Sequence, residues 1–62
     1  MRDKIQVLVV DDEPLARQRL VDLISRSDSL DLLGVATNGH EGVESIQNLD
    51  PDLVFLDVQM PG

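Results

Sequence analysis

The stretch Leu-Val-Phe-Leu-Asp-Val-Gln-Met-Pro-Gly, residues 53–62, decides how the rest of the chain is interpreted. Its first four residues are apolar and include Val54 and Phe55, which is typical of a strand buried on both faces of a parallel sheet. Pro61 and Gly62 then disfavour further regular structure. Asp57 is therefore expected where a buried strand reaches the surface, at the end of the sheet where α/β proteins bind ligands.

A second run of the same kind also ends in acidic residues. Residues 5–10, Ile-Gln-Val-Leu-Val-Val, are rich in β-branched side chains and bounded by charges, so they predict the first strand. Asp11, Asp12 and Glu13 follow and are expected to form an exit loop. Pro14 suits the first turn of a helix, where its missing N–H costs nothing, and Asp12 or Glu13 could cap that helix.

Between these two strands the sequence predicts a helix, a strand and a second helix. Apolar residues recur at helical spacing in both helical stretches, and polar residues such as Arg17 fall on the solvent side of the first helix. Gly34 weakens the intervening strand. Asn38 and Glu41, three residues apart, form a variant of the capping box that starts a helix. The three elements cover residues 14–26, 30–37 and 39–49.

The order β-α-β-α-β predicts an α/β fold, because short right-handed connections produce a parallel sheet with helices on its faces. If the second strand lies on one side of the first and the third lies on the other, the spatial order is 2-1-3. The first and third strands are then neighbours at a topological switch point. In that arrangement Asp11, Asp12 and Asp57 converge on one crevice.

Three neighbouring carboxylates repel one another, and a hard divalent cation with oxygen ligands would offset that repulsion. Mg²⁺ fits a site made of carboxylates, a main-chain carbonyl, water and phosphate oxygens. One carboxylate could then attack phosphorus and form an acyl phosphate. Chemistry alone does not show which of the three carboxylates attacks phosphorus. Asp57 is favoured because it stands alone at a strand tip, whereas the adjacent Asp11 and Asp12 can serve the metal.

Composition excludes several other classes of function. The net charge of −7, from twelve acidic and five basic residues, disfavours direct contact with nucleic acid. The chain contains no cysteine, which excludes disulfides and thiolate metal sites. Its single histidine, His40, has no second histidine or cysteine to complete a transition-metal site, so such a site is disfavoured. No apolar run is long enough to cross a bilayer and no signal peptide is recognisable, so we expect a cytoplasmic protein.

Two short motifs resemble the receiver domain of two-component response regulators: Val-Val-Asp-Asp-Glu at residues 9–13 and Leu-Asp-Val-Gln-Met-Pro-Gly at residues 56–62. Their spacing also matches that family. The resemblance implies that Asp57 accepts a phosphoryl group from the phosphohistidine of a sensor histidine kinase. It also implies a Mg²⁺ cofactor, with Asp12 as a direct ligand and Asp11 acting mainly through water. Asp57 and the backbone carbonyl of Gln59 are the further implied ligands.

The resemblance also implies how much of a receiver domain is present. A full receiver has a flavodoxin-like fold with strand order 2-1-3-4-5, so residues 1–62 correspond to its N-terminal half, without strands four and five. The Ser/Thr and Lys that the family carries on those strands have no counterpart, and the segment is not expected to signal by itself. The family is a phosphoacceptor rather than a conventional enzyme. Residues 11–17 are similar to regulators with a LytTR-type DNA-binding output domain, which this sequence does not contain.

Alternative interpretations remain open. The third strand would form an apolar edge that invites pairing with another chain, so we expect self-association, most simply as a two-fold homodimer. One alternative is therefore a phosphorylation-inactive fragment that folds only as such a dimer. A nucleotide-binding half-domain is disfavoured because no glycine-rich phosphate loop follows the first strand. A haloacid-dehalogenase-like phosphatase would instead attack from Asp11 or Asp12.

Overall fold

The computed structural model describes residues 4–57, which form a parallel three-stranded sheet with one helix on each face. In chain order the elements are β1 (Ile5–Asp11), α1 (Pro14–Arg26), β2 (Leu30–Ala36), α2 (Gly39–Leu49) and β3 (Leu53–Asp57). The strand order is β2-β1-β3, and both strand pairs are parallel. The predicted α/β fold and the 2-1-3 order are therefore confirmed. No helix within the described residues is long and apolar enough to cross a membrane.

The element boundaries agree with the sequence prediction except at the ends of two strands. Asp11, expected in the exit loop, is the last residue of β1 because it pairs with Asp57 of β3. Thr37, expected in the second strand, lies outside β2. Its backbone N–H donates to Glu41 Oε1 at 2.8 Å instead of extending the ladder.

The central strand β1 is buried on both faces of the sheet. Val7 and Val9 pack with Ile24 of α1 on one face. Leu8 and Val10 pack with Ala36 on the other face, which α2 covers. Because successive side chains of a strand point to opposite faces, a strand between two helix layers must be apolar at every position. This requirement explains the uninterrupted apolar run in β1.

A bulge interrupts the pairing of β2 with β1. The residue of β2 that faces β1 moves from Leu32 to Gly34 between successive pairs, so Leu33 is an extra residue in the ladder. A Cβ at position 34 would lie 3.2 Å from Leu49 Cδ1, at the end of α2. The glycine that weakened the strand prediction therefore marks a bulge and a close approach of a neighbouring side chain.

Both helices begin at a side-chain cap. Glu13 is the N-cap of α1, and its carboxylate accepts a hydrogen bond from the Leu15 N–H at 3.2 Å. At the start of α2, Asn38 Oδ1 accepts from the Glu41 N–H at 2.9 Å. The Glu41 carboxylate reaches back to Thr37 rather than to the cap residue itself. The predicted capping-box variant is thus confirmed, with its return bond shifted by one residue.

Gly42 permits the close approach of α2 to β1, and its replacement by alanine should destabilise the chain. A Cβ at this position would lie 3.0 Å and 3.1 Å from the two methyl carbons of Val10. This crowding of a fully buried side chain should outweigh the gain in helix propensity and lower the free energy of unfolding by about 1 kcal/mol. Urea denaturation of Gly42→Ala measures the effect.

The matched control is Gly39→Ala in the first turn of the same helix, where an added Cβ would meet no atom within 4 Å. This variant should have wild-type or slightly higher stability. A Gly42→Ala variant more stable than wild type would show that the approach of α2 to β1 does not require glycine.

Candidate functional site at the carboxyl end of the sheet

Two of the predicted site residues are neighbours in the sheet. Asp11 ends β1 and Asp57 ends β3, and the two residues are paired in the parallel ladder. Adjacent strands in a sheet lie about 4.8 Å apart. The backbones of Asp11 and Asp57 therefore lie side by side at the carboxyl end of the sheet, where open α/β folds bind their ligands. The structure describes Asp57 by its backbone, so the position of its carboxylate stays a prediction.

Asp11 is a buried carboxylate that is only half satisfied. Its side chain is 1% exposed. Oδ1 accepts a hydrogen bond from the Glu13 N–H at 2.9 Å, which fixes the turn into α1. Oδ2 is also buried and has no hydrogen-bond partner. Since buried carboxylate oxygens are nearly always paired, this oxygen is a candidate ligand for a cation or a donor that binds from outside.

The other predicted ligands lie in different surroundings. Asp12 is exposed in the loop that follows β1. Gln59, predicted to contribute its backbone carbonyl, lies outside the described residues. Among the described side chains, which do not include that of Asp57, no three His, Cys, Asp or Glu residues form a group that could hold a metal ion. The predicted four-residue ligand set therefore stays a prediction, of which the structure describes the Asp11 and Asp12 side chains.

Arg17 belongs to this end of the sheet and was missed by sequence reasoning. Helical periodicity places it on the solvent side of α1, yet it is half-buried and its Nη1 donates to the Asp11 carbonyl oxygen at 3.1 Å. One signal could have found it. A cation close to the N-terminus of a helix opposes the helix dipole, so its presence there points to a nearby acceptor.

The first turn of α2 lies within reach of the same positive charge. The pKa of Glu41 is lowered mainly by the hydrogen bonds it accepts from the Thr37 hydroxyl and backbone N–H. Burial raises this pKa, whereas the positive charge of Arg17, and that of His40 whenever it is protonated, lowers it. Arg17 therefore influences the starts of both helices as well as the end of β1.

The family model described as the response regulator receiver domain matches residues 7–62. The chain therefore belongs to the response regulator receiver domain family, as the two short motifs predicted.

Particular relatives are similar over nearly the whole chain. An uncharacterized response regulatory protein of Vibrio vulnificus is 49% identical over 57 residues, covering 92% of this chain and 24% of the relative. The transcriptional regulatory protein BtsR of Escherichia coli is 44% identical over 57 residues, with the same coverage of both chains. The nitrate/nitrite response regulator protein NarL of the same organism is 43% identical over 56 residues, covering 90% of this chain and 26% of NarL. The chain thus spans about a quarter of the length of the curated relatives it matches.

Asp11→Asn should stabilise the chain in the absence of divalent metal. The amide oxygen can keep the bond from the Glu13 N–H, while the unpartnered carboxylate oxygen Oδ2 is replaced by the nitrogen of an uncharged amide. We expect the free energy of unfolding to rise by about 1 kcal/mol in EDTA, measured by urea denaturation. Added Mg²⁺ should stabilise wild type but not the variant, because ligands that bind only the folded state raise its stability.

Asp12→Asn is the matched control, since it also removes one carboxylate but from an exposed position. Its stability in EDTA should stay within about 0.5 kcal/mol of wild type. A loss of stability in Asp11→Asn under the same conditions would contradict the interpretation of Oδ2 as an unsatisfied ligand.

Proposed function

We propose that the chain is the phosphoacceptor module of a two-component response regulator and receives a phosphoryl group on Asp57 from a sensor histidine kinase. The observation that carries the proposal is the register that pairs Asp57 with Asp11 at the carboxyl end of the sheet. Membership of the receiver family supports the same role. Residues 1–62 would form the N-terminal half of a receiver, and this half would not signal alone.

The transfer needs a nucleophile, and the proposal assigns this role to the carboxylate of Asp57. One of its oxygens would form a bond to phosphorus while the P–N bond of the donor phosphohistidine breaks. The electron pair of the broken bond returns to the imidazole ring of the kinase, and the product is an acyl phosphate. The module is therefore the acceptor substrate of its kinase rather than an enzyme acting on a small molecule.

Mg²⁺ is the proposed cofactor of this reaction. Asp11, Asp12, Asp57 and the backbone carbonyl of Gln59 would hold it, and oxygen donors of this kind suit a hard cation. The unpartnered and buried Oδ2 of Asp11 fits such a site, because a bound cation would satisfy it. When bound, Mg²⁺ would neutralise negative charge on the incoming phosphoryl group.

The wider role of the protein is also a proposal. BtsR is named a transcriptional regulatory protein and NarL a nitrate/nitrite response regulator protein. These names support an output domain that regulates transcription in the full-length protein. With its net charge of −7, the segment itself would make no direct contact with DNA. The LytTR type of the output domain stays a prediction.

Phosphorylation of Asp57 can be tested directly. Wild type incubated with acetyl phosphate and Mg²⁺ should gain one phosphoryl group by intact-mass spectrometry, and EDTA should abolish the gain. Asp57→Ala should remain unmodified, because it lacks the attacking carboxylate. Asp31→Ala, which changes an exposed aspartate of β2, should react like wild type. A phosphoryl group mapped to Asp11 or Asp12 would favour the phosphatase-like alternative, and an unmodified wild type would contradict the proposal.

A second hypothesis is a homodimer formed through β3. The exposure of that strand favours it. Among the described residues β3 pairs with β1 alone, and its other edge has no strand beside it. Leu53 is 40% exposed and Leu56 is 68% exposed. Beside the strand, Val43 and Ile46 of α2 help to form an apolar groove of about 230 Å³ over β3. An open apolar edge of this kind favours pairing with a second copy.

Self-association is tested by sedimentation velocity at micromolar concentration, where wild type should sediment as a dimer. Leu56→Lys places a charge on the exposed strand and should shift the chain towards monomer. Leu15→Lys is the matched control, because Leu15 is 71% exposed but lies at the start of α1. A stable folded wild-type monomer would contradict the dimer.

A further inference from the structure

We propose that Arg17 is a positioning residue that orients the acidic pair Asp11 and Asp12. The inference rests on the proposed function, because that function gives the pair its role as metal ligands. Arg17 would act through the backbone of the pair and would not itself touch the metal or the phosphoryl group.

The hydrogen bond from Arg17 fixes the peptide group that joins the two acidic residues. Its Nη1 donates to the carbonyl oxygen of Asp11 at 3.1 Å. That oxygen belongs to the planar peptide unit between Asp11 and Asp12. Both side chains project from the two ends of this unit, so holding its oxygen restricts the directions that both carboxylates can take.

A second set of bonds connects Arg17 to the turn between β1 and α1. The backbone N–H of Arg17 donates to the Glu13 carbonyl at 2.9 Å. The Glu13 N–H in turn donates to Asp11 Oδ1 at 2.9 Å. The guanidinium therefore closes a ring of contacts that joins the first turn of α1 to the end of β1. Because the backbone of Arg17 is anchored in the first turn of α1 and its side chain reaches the end of β1, Arg17 can fix the geometry of the turn between them.

Arg17 achieves this without occupying the oxygens that a cation would need. Among the described side chains it forms no ion pair, although it is bonded to the backbone of a residue with a buried carboxylate. Asp11 Oδ2 stays without a partner. The guanidinium thus orients the pair through a carbonyl and leaves a carboxylate oxygen available for an incoming metal.

The positioning role can be distinguished from a simple charge effect by the sign of the change in Mg²⁺ affinity. A positive charge near an acidic site repels a cation, so removing it should tighten Mg²⁺ binding if charge alone matters. Removing a group that holds metal ligands in place should weaken binding, and losses of about tenfold are usual for such partners. The two effects therefore oppose each other.

The experiment titrates Mg²⁺ into wild type and variants and follows the backbone amide signals of residues 11–13 by NMR. Arg17→Gln should weaken Mg²⁺ binding by about tenfold. Arg17→Lys keeps the charge and one donor group, and its affinity should fall between those of wild type and Arg17→Gln. Arg19→Gln removes one positive charge from an exposed position of the same helix and should bind Mg²⁺ as tightly as wild type or slightly more tightly.

The outcomes separate this inference from the function it rests on. If wild type binds Mg²⁺ but Arg17→Gln binds it as tightly as Arg19→Gln does, the role of Arg17 is overturned and the proposed metal site stands. If wild type itself does not bind Mg²⁺, the metal site and this role are overturned together. Should Arg17→Gln fail to fold, Arg17→Lys decides, and wild-type affinity in that variant would overturn the inference.

Discussion

The parallel pairing of β1 with β3 is the constraint on which both the fold and the candidate site depend. β1 is apolar at four successive buried positions because helices cover both of its faces. The same burial favours the register in which the apolar residues of the two strands lie side by side, Val7 to Val10 against Leu53 to Leu56. In the observed register the ladder ends on Asp11 and Asp57. The packing of the core thus determines which acidic residues meet at the edge of the sheet.

The acidic turn after β1 holds the start of α1 in place and would also supply oxygen ligands to a metal ion. Asp11 Oδ1 and the Glu13 carboxylate both accept backbone hydrogen bonds at the start of α1, as turn and cap residues do. Asp11 Oδ2 does not take part in this network and remains buried without a partner. A buried oxygen of this kind costs stability unless something binds to it. The two interpretations of these acids, as cap residues or as a metal site, therefore apply to different atoms and do not exclude each other.

The two helices cover the sheet unevenly, and this leaves apolar side chains exposed. Each face has one helix, and α2 contacts β1 and β2 rather than β3. Val43 and Ile46 of α2 and Leu53 and Leu56 of β3 are consequently exposed. The side of the sheet beyond β3 is where additional contacts would contribute most.

The sequence alone determined the order and type of the elements, the capping box at Asn38 and Glu41, and the family. These features depend on local patterns, namely apolar periodicity, cap residues and two short motifs. The tertiary structure alone decided that Asp11 belongs to β1, that Leu33 is a bulge, that Asp11 Oδ2 lacks a partner and that Arg17 turns inward. Each of these features depends on contacts that form only when the helices pack on the sheet. The reason is that strand register and the burial of a polar atom are set by residues that are distant in sequence or belong to another element.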